Sequence, residues 1–147
     1  MSLDELIRFG ALDDPEIDLA EAALMLAGLD HPRASLAQYR AFLDEMAGEV
    51  FELGLHAEGP AEQAAVLQSV IAGAFGFAGD RESYDDPANA NLIDVIERRK
   101  GLPVALSILY IGAARAVGWQ AHGINMPSHF LIRIGSGTNA VIQDPFS

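Results

Sequence analysis

Three positions in the last third of the chain are spaced for acyl-transfer chemistry. Gly101-Leu102-Pro103 leads into an apolar helix that Gly118 closes, and His129 and Asp144 then fall on two separate short strands. A helix start, a strand histidine and a strand aspartate, in that order, can host a nucleophile–His–Asp triad. A contact between His129 and Asp144 would orient the imidazole and favour its charged form. The chain has no cysteine, so no thiolate can form anywhere in it. Ser107 lies one turn inside the helix, ~6 Å along the axis from the end that stabilises an anion. Its hydroxyl is expected to bond back to the carbonyl four residues earlier. Ser128 precedes His129 on one strand, so the two side chains are expected to face opposite ways.

The elements that would position these groups follow from periodicity. Asp14-Pro15-Glu16 is a helix start signal, Ile17, Ala20, Ala23, Leu24 and Ala27 share a face, and Gly28 reads as the stop. Asp30-His31-Pro32 reads as the opening of a second helix, with Leu36, Tyr39, Leu43, Met46, Val50 and Leu53 as its stripe. Gly59-Pro60-Ala61-Glu62 starts a third, which ends at Gly76. From Phe77 to Ala90 the period stops and turn formers dominate, so a long loop is expected. Asn91 caps a short helix Leu92–Arg99, and Gly101 is expected in the left-handed position after it. In the Pro103 helix, Leu106, Leu109, Tyr110, Ala113, Ala114 and Val117 form the expected buried face. The period then changes to two, giving strands Trp119–Met126, His129–Gly135 and Ala140–Asp144, the last two joined by a hairpin turn. Helices followed by antiparallel strands make the fold class α+β: an N-terminal helical bundle over residues 1–76, then a core over 77–147 with a central helix on a short antiparallel sheet.

Composition removes several classes of function. The net charge is −12 over 147 residues. Residues 1–62 carry 14 acids against 3 arginines, a net of −11, while residues 63–147 carry 7 acids against 6 bases, a net of −1. An acidic half disfavours nucleic acid and anionic membrane, both of which bind through phosphate neutralisation. Arg98-Arg99-Lys100 reads as a cluster complementing a helix C-terminus. His31, His56, His122 and His129 lack ligand spacing, and Asp80, Asp85 and Asp86 read as a solvated acidic turn, so neither metal nor other cofactor is expected. No apolar run approaches the ~20 residues of a membrane span, and a cytoplasmic location is expected.

A more specific likeness lies in Gly76-Phe77-Ala78-Gly79-Asp80-Arg81-Glu82-Ser83-Tyr84, Asp86-Pro87, Asn91-Leu92, Ile96-Glu97-Arg98-Arg99-Lys100-Gly101-Leu102-Pro103, Leu106-Ser107-Ile108-Leu109-Tyr110, Pro127-Ser128-His129-Phe130-Leu131-Ile132-Arg133 and Asp144-Pro145-Phe146. Together these runs resemble the SirB-type branch of the transglutaminase-like superfamily, over about residues 63–147. The resemblance implies a papain-like core. Its catalytic members open the central helix Gly-x-Cys and close it with a glycine about fifteen residues later. Gly101-Leu102-Pro103 and Gly118 stand in those places, which puts Pro103 at the nucleophile position, His129 at the histidine and Asp144 at the aspartate. The implied site is degenerate, a residual dyad without its cysteine. Its cleft would be lined by Arg81, Tyr84, Asn91, Pro103, Ser107 and Ser128.

The expected function is a non-catalytic module that binds a protein or peptide through that cleft. One alternative is a hydrolase or acyltransferase in which His129 and Asp144 activate water or a hydroxyl. Another is a structural domain supporting a C-terminal helical-repeat module, since proteins of this branch often continue into helical repeats. The uncovered last strand raises two further expectations, that the chain is cut from a longer protein and that it pairs with itself as a homodimer.

Overall fold

The computed structural model describes residues 3, 14, 17–126 and 129–146, without the side chains of Asn125 and His129. The helices are α1 (Leu19–Asp30), α2 (Leu36–Leu53), α3 (Gly59–Leu67), α4 (Leu92–Arg98) and α5 (Pro103–Ala116). Strands β1 (Ala78–Gly79) and β2 (Lys100–Gly101) form a short parallel pair, while β3 (Ala121–Met126), β4 (His129–Ile134) and β5 (Val141–Gln143) form an antiparallel sheet in that order. The fold is a mixture of helix and sheet. Among the described residues no helix is long and apolar enough to cross a membrane.

Helix α5 is the centre of the molecule. Ala105, Leu106, Ser107, Ile108, Leu109, Tyr110 and Ile111 are consecutive and all buried. The sequence stripe gave this helix one buried face, but seven buried neighbours in a row leave no solvent side over these two turns. A helix apolar all round is enclosed. Helices α1 and α2 pack on it together with the sheet. Each fully buried Leu or Ile contributes about 1.5–3 kcal/mol, and Leu106, Ile108, Leu109 and Ile111 make this helix a large contributor to the core. The N-terminal helices reach the sheet side too: Trp119 lies so close to Gly54 that a Cβ there would fall 2.5 Å from its ring.

Several boundaries differ from the periodic reading. Helix α1 passes Gly28 and runs to Asp30, with the His31 N–H bonding the Gly28 carbonyl. Gly28 instead leaves room for Leu36, whose Cδ2 would lie 3.3 Å from an added Cβ. The N-cap is Asp18, whose carboxylate accepts from Glu21 N at 3.0 Å; Pro15 and Glu16 lie outside the described residues. Helix α2 begins after Ser35, so His31-Pro32 belongs to the turn before it. Helix α3 continues as a π-helical stretch, Gln68–Ala74. The expected loop from Phe77 to Ala90 contains β1 and a 3₁₀ turn, Pro87–Ala90.

The exit from α4 is the clearest correction. The left-handed residue is Arg99, at φ 62°, and not Gly101. Its guanidinium lies 4.5 Å over the Phe42 ring and 5.0 Å from the Phe77 ring. Gly101 serves close approach instead: a Cβ there would sit 3.0 Å and 3.1 Å from the Val95 methyls. Arg99→Ala keeps the left-handed strain and loses both ring contacts, whereas Arg99→Gly loses the contacts but relieves the strain. The glycine variant is therefore expected to be the more stable of the two, by about 1 kcal/mol, both falling below the parent through lost cation–π and stem packing. Urea unfolding checks the order.

Candidate functional site

The start of α5 is placed by local chemistry. Pro103 occupies the first turn, where its missing N–H costs nothing, and no side chain caps the helix at Leu102. The Leu102 N–H bonds the Asn89 carbonyl at 3.0 Å, tying this end to the 79–91 segment. Two residues upstream of Pro103, Gly101 pairs with Gly79.

A buried polar lock organises that segment. Asp80 is 2% exposed and Asn89 fully buried. Asp80 Oδ1 accepts from the backbone N–H groups of Ser83 (2.9 Å) and Glu82 (3.2 Å), and Oδ2 from Arg98 Nη2 (2.9 Å). Asn89 donates its amide to the Ser83 carbonyl at 2.6 Å and the Tyr84 carbonyl at 3.3 Å, and accepts from Arg98 Nη1 at 3.0 Å. Asp80 is thus no solvated turn residue, and Arg98 does more than complement a helix end. Neither Asn89 nor Arg98 stood out as a site residue in the sequence. The visible signal was an Asp three residues before Ser83, the spacing of a side chain that caps its own turn.

The Ser83 N–H above all, with the Asn89 amide and the Arg98 guanidinium, holds the Asp80 carboxyl below its usual pKa against the opposing effect of burial. The sign for stability follows. A depressed folded-state pKa contributes stability above the unfolded value, near ~3.9, and that contribution is lost as pH falls through the folded value. Melting temperature is expected to drop on acidification below about pH 4, and less steeply in Asp80→Asn. Part of the slope should persist, because Arg40 lowers Glu21 in the same way. Equal slopes in parent and variant would contradict the assignment.

The second residue after the aspartate position completes the corner. Phe146 packs on Gly79 so closely that an added Cβ would meet its ring at 2.3 Å. The Arg81 guanidinium lies 5.1 Å over that ring, and Tyr84 meets it edge-on at 6.0 Å. Asp144 Oδ1 accepts from the Phe146 N–H at 2.9 Å. Asp144 also borders a cleft of about 440 Å³ between α3 and β5, shared with Tyr110 and Gln143. Burial pushes Tyr110 up to about 12, which keeps its phenol protonated and unfit as a base near neutral pH.

The expected site residues therefore divide. Arg81, Tyr84, Gly79 and the Asp144–Phe146 segment come together, with Pro103 two residues beyond the Gly79–Gly101 pair. Asn91 is committed elsewhere: its carbonyl caps α4 at Asp94 N (3.2 Å) and its amide reaches the Ala27 carbonyl (3.3 Å). Ser107 is fully buried, and its hydroxyl has no hydrogen-bond partner among the described residues, so the expected bond to the preceding turn is not made. Ser128 and the His129 side chain, and with them the expected His129–Asp144 contact, lie outside the described residues. His129 is placed by its backbone alone, opposite Met126 at the start of β4.

A helix enclosed by helices and an antiparallel sheet, with a locked loop at its start, defines a domain of mixed helix-and-sheet class built around a single central helix. Residues 37–147 match the transglutaminase-like superfamily, and the chain belongs to that family. It is 31% identical over 144 residues to a UPF0162 protein of Xylella fastidiosa, covering 95% of this chain and 50% of that protein. A UPF0162 protein of Vibrio cholerae is 29% identical over 136 residues, covering 92% of this chain and 50% of its own length. The chain spans about half the length of these relatives. F-box only protein 21 of Homo sapiens is 37% identical over 70 residues, 48% of this chain and 11% of that protein. No solved structure matches the chain.

Proposed function

We propose that this chain is a non-catalytic transglutaminase-like domain of the SirB-type branch, which binds a peptide or protein at the corner formed by the α5 start, the 79–91 segment and Asp144–Phe146. The observation carrying this reading is that the chain has no thiol and that the start of α5 offers no accessible hydroxyl in its place. The position assigned to it by family resemblance is Pro103, the chain has no cysteine, and the serine one turn further on is buried without access to a substrate. The recurrence of related sequence within longer proteins, down to 11% of one of them, supports a module that works inside larger chains. An exposed guanidinium and two aromatic rings suit recognition of an extended peptide.

A panel of fluorogenic esters and amides tests the catalytic side. The expected result is no turnover above buffer. Saturable turnover abolished by Asp144→Asn would establish the hydrolase alternative instead. Peptides selected against the full chain by display should lose binding to Arg81→Ala and Tyr84→Ala; peptides that bind both variants as well as the parent would place recognition elsewhere.

A further inference from the structure

The outward face of the three-stranded sheet is a second surface, independent of the Pro103 corner. Ala121, Phe130, Ile132 and Ile134 are buried, so strand alternation puts the intervening residues on the opposite face. The ladder aligns them in rows, His122–Arg133–Ile142 and then Ile124–Leu131, with Met126 beyond. Four of these side chains are apolar, and Ile142 and Met126 are 56% and 48% exposed.

The charge on this face runs against the rest of the molecule. Residues 119–143 contain no Asp or Glu, in a chain that has 21. Arg133, with His122 in the same row, is its basic group, and Arg133 makes no ion pair within 4 Å among the described residues. A second copy stacked here about a twofold axis would bring Arg133 toward its own mate while two chains of net charge −12 approach each other. Both effects oppose self-pairing through this face.

We infer that the outward sheet face docks an acidic amphipathic helix of a partner protein. Apolar side chains of that helix would rest on Ile124, Leu131 and Ile142, with carboxylates reaching Arg133. A helix laid on a sheet face is the ordinary way to bury such a surface, and α5 covers the other side in that manner.

Two synthetic 18-residue helical peptides with one shared leucine stripe test this, one bearing Glu and the other Lys at its polar positions. Each is titrated into the ¹⁵N-labelled full chain. The Glu peptide should bind about tenfold tighter, with amide shifts centred on residues 122, 124, 131, 133 and 142. Arg133→Glu should invert the preference, and Ile142→Glu should weaken both peptides, with melting curves confirming that each variant is folded. Equal affinities, a preference for Lys, binding of neither peptide, or shifts on another surface would overturn the inference. So would concentration-dependent shifts on this face without peptide, which would make a second copy the occupant.

Discussion

Pro103→Cys is expected to yield a thiol that ionises well below the ordinary value of ~8.5. The substitution places sulfur at the first turn of a 14-residue helix with no acidic residue in that turn and no side-chain cap. Uncapped N–H groups and the helix dipole stabilise a thiolate there, bringing such cysteines into the range ~3.5–7.5. Because the chain has no other cysteine, the pH dependence of iodoacetamide labelling reports this one group. The parent should take no stoichiometric label. A variant thiol that titrates near ~8.5 would mean that Pro103 does not occupy the nucleophile position.

The largest stability effect is expected at Asn89. Its side chain holds two loop carbonyls and one guanidinium nitrogen of Arg98 in a fully buried setting. Asn89→Ala leaves those carbonyls and that donor without their partner, and each unsatisfied buried group costs about 1–3 kcal/mol. A loss of about 2–4 kcal/mol is expected, with some relief from water entering the loosened loop. Asn89→Asp should fare no better, since it forfeits both donated bonds and sets a second carboxylate beside Asp80. Urea midpoints give the stability change, and faster proteolysis within residues 81–86 locates it. A loss below about 0.5 kcal/mol, the range of a neutral surface change, would show that the network is dispensable.

What could be read from sequence were features whose cause is local. Asn91 as a cap, Pro103 at a helix start and Gly118 at a helix end each depend on a few neighbouring residues, and all three stand where the periodic reading put them. The order of helices and strands, and hence the mixed class, was legible for the same reason. Features set by distant chain segments were not. Arg99 takes the left-handed place because its guanidinium finds Phe42, far earlier in the chain, while Gly101 is drawn into a strand by its pairing with Gly79. The apolar stripe of α5 understated its burial, because Ala105 and Ser107 look neutral until α1, α2 and the sheet enclose them. At the candidate site, the likeness to the superfamily singled out Pro103 and Asp144, an assignment that enters the proposed function. It did not locate Asp80, Asn89 and Arg98, because a lock between residues 80 and 98 leaves no periodic trace.

The seating of Phe146 on Gly79 also fixes an order of assembly. The contact joins residues 67 positions apart (146 − 79), whereas the Asp80–Arg98 bond spans 18. Longer closures cost more chain entropy and form later. A chain emerging from the ribosome N-terminus first can complete the Asp80–Arg98 lock and begin wrapping α5 before Phe146 exists. Until then the flat side of Gly79 faces water, and the corner has no floor. The proposed recognition surface thus matures after the Asp80–Arg98 lock, and synthesis interrupted before Phe146 would release chains with the lock closed and the corner unfinished.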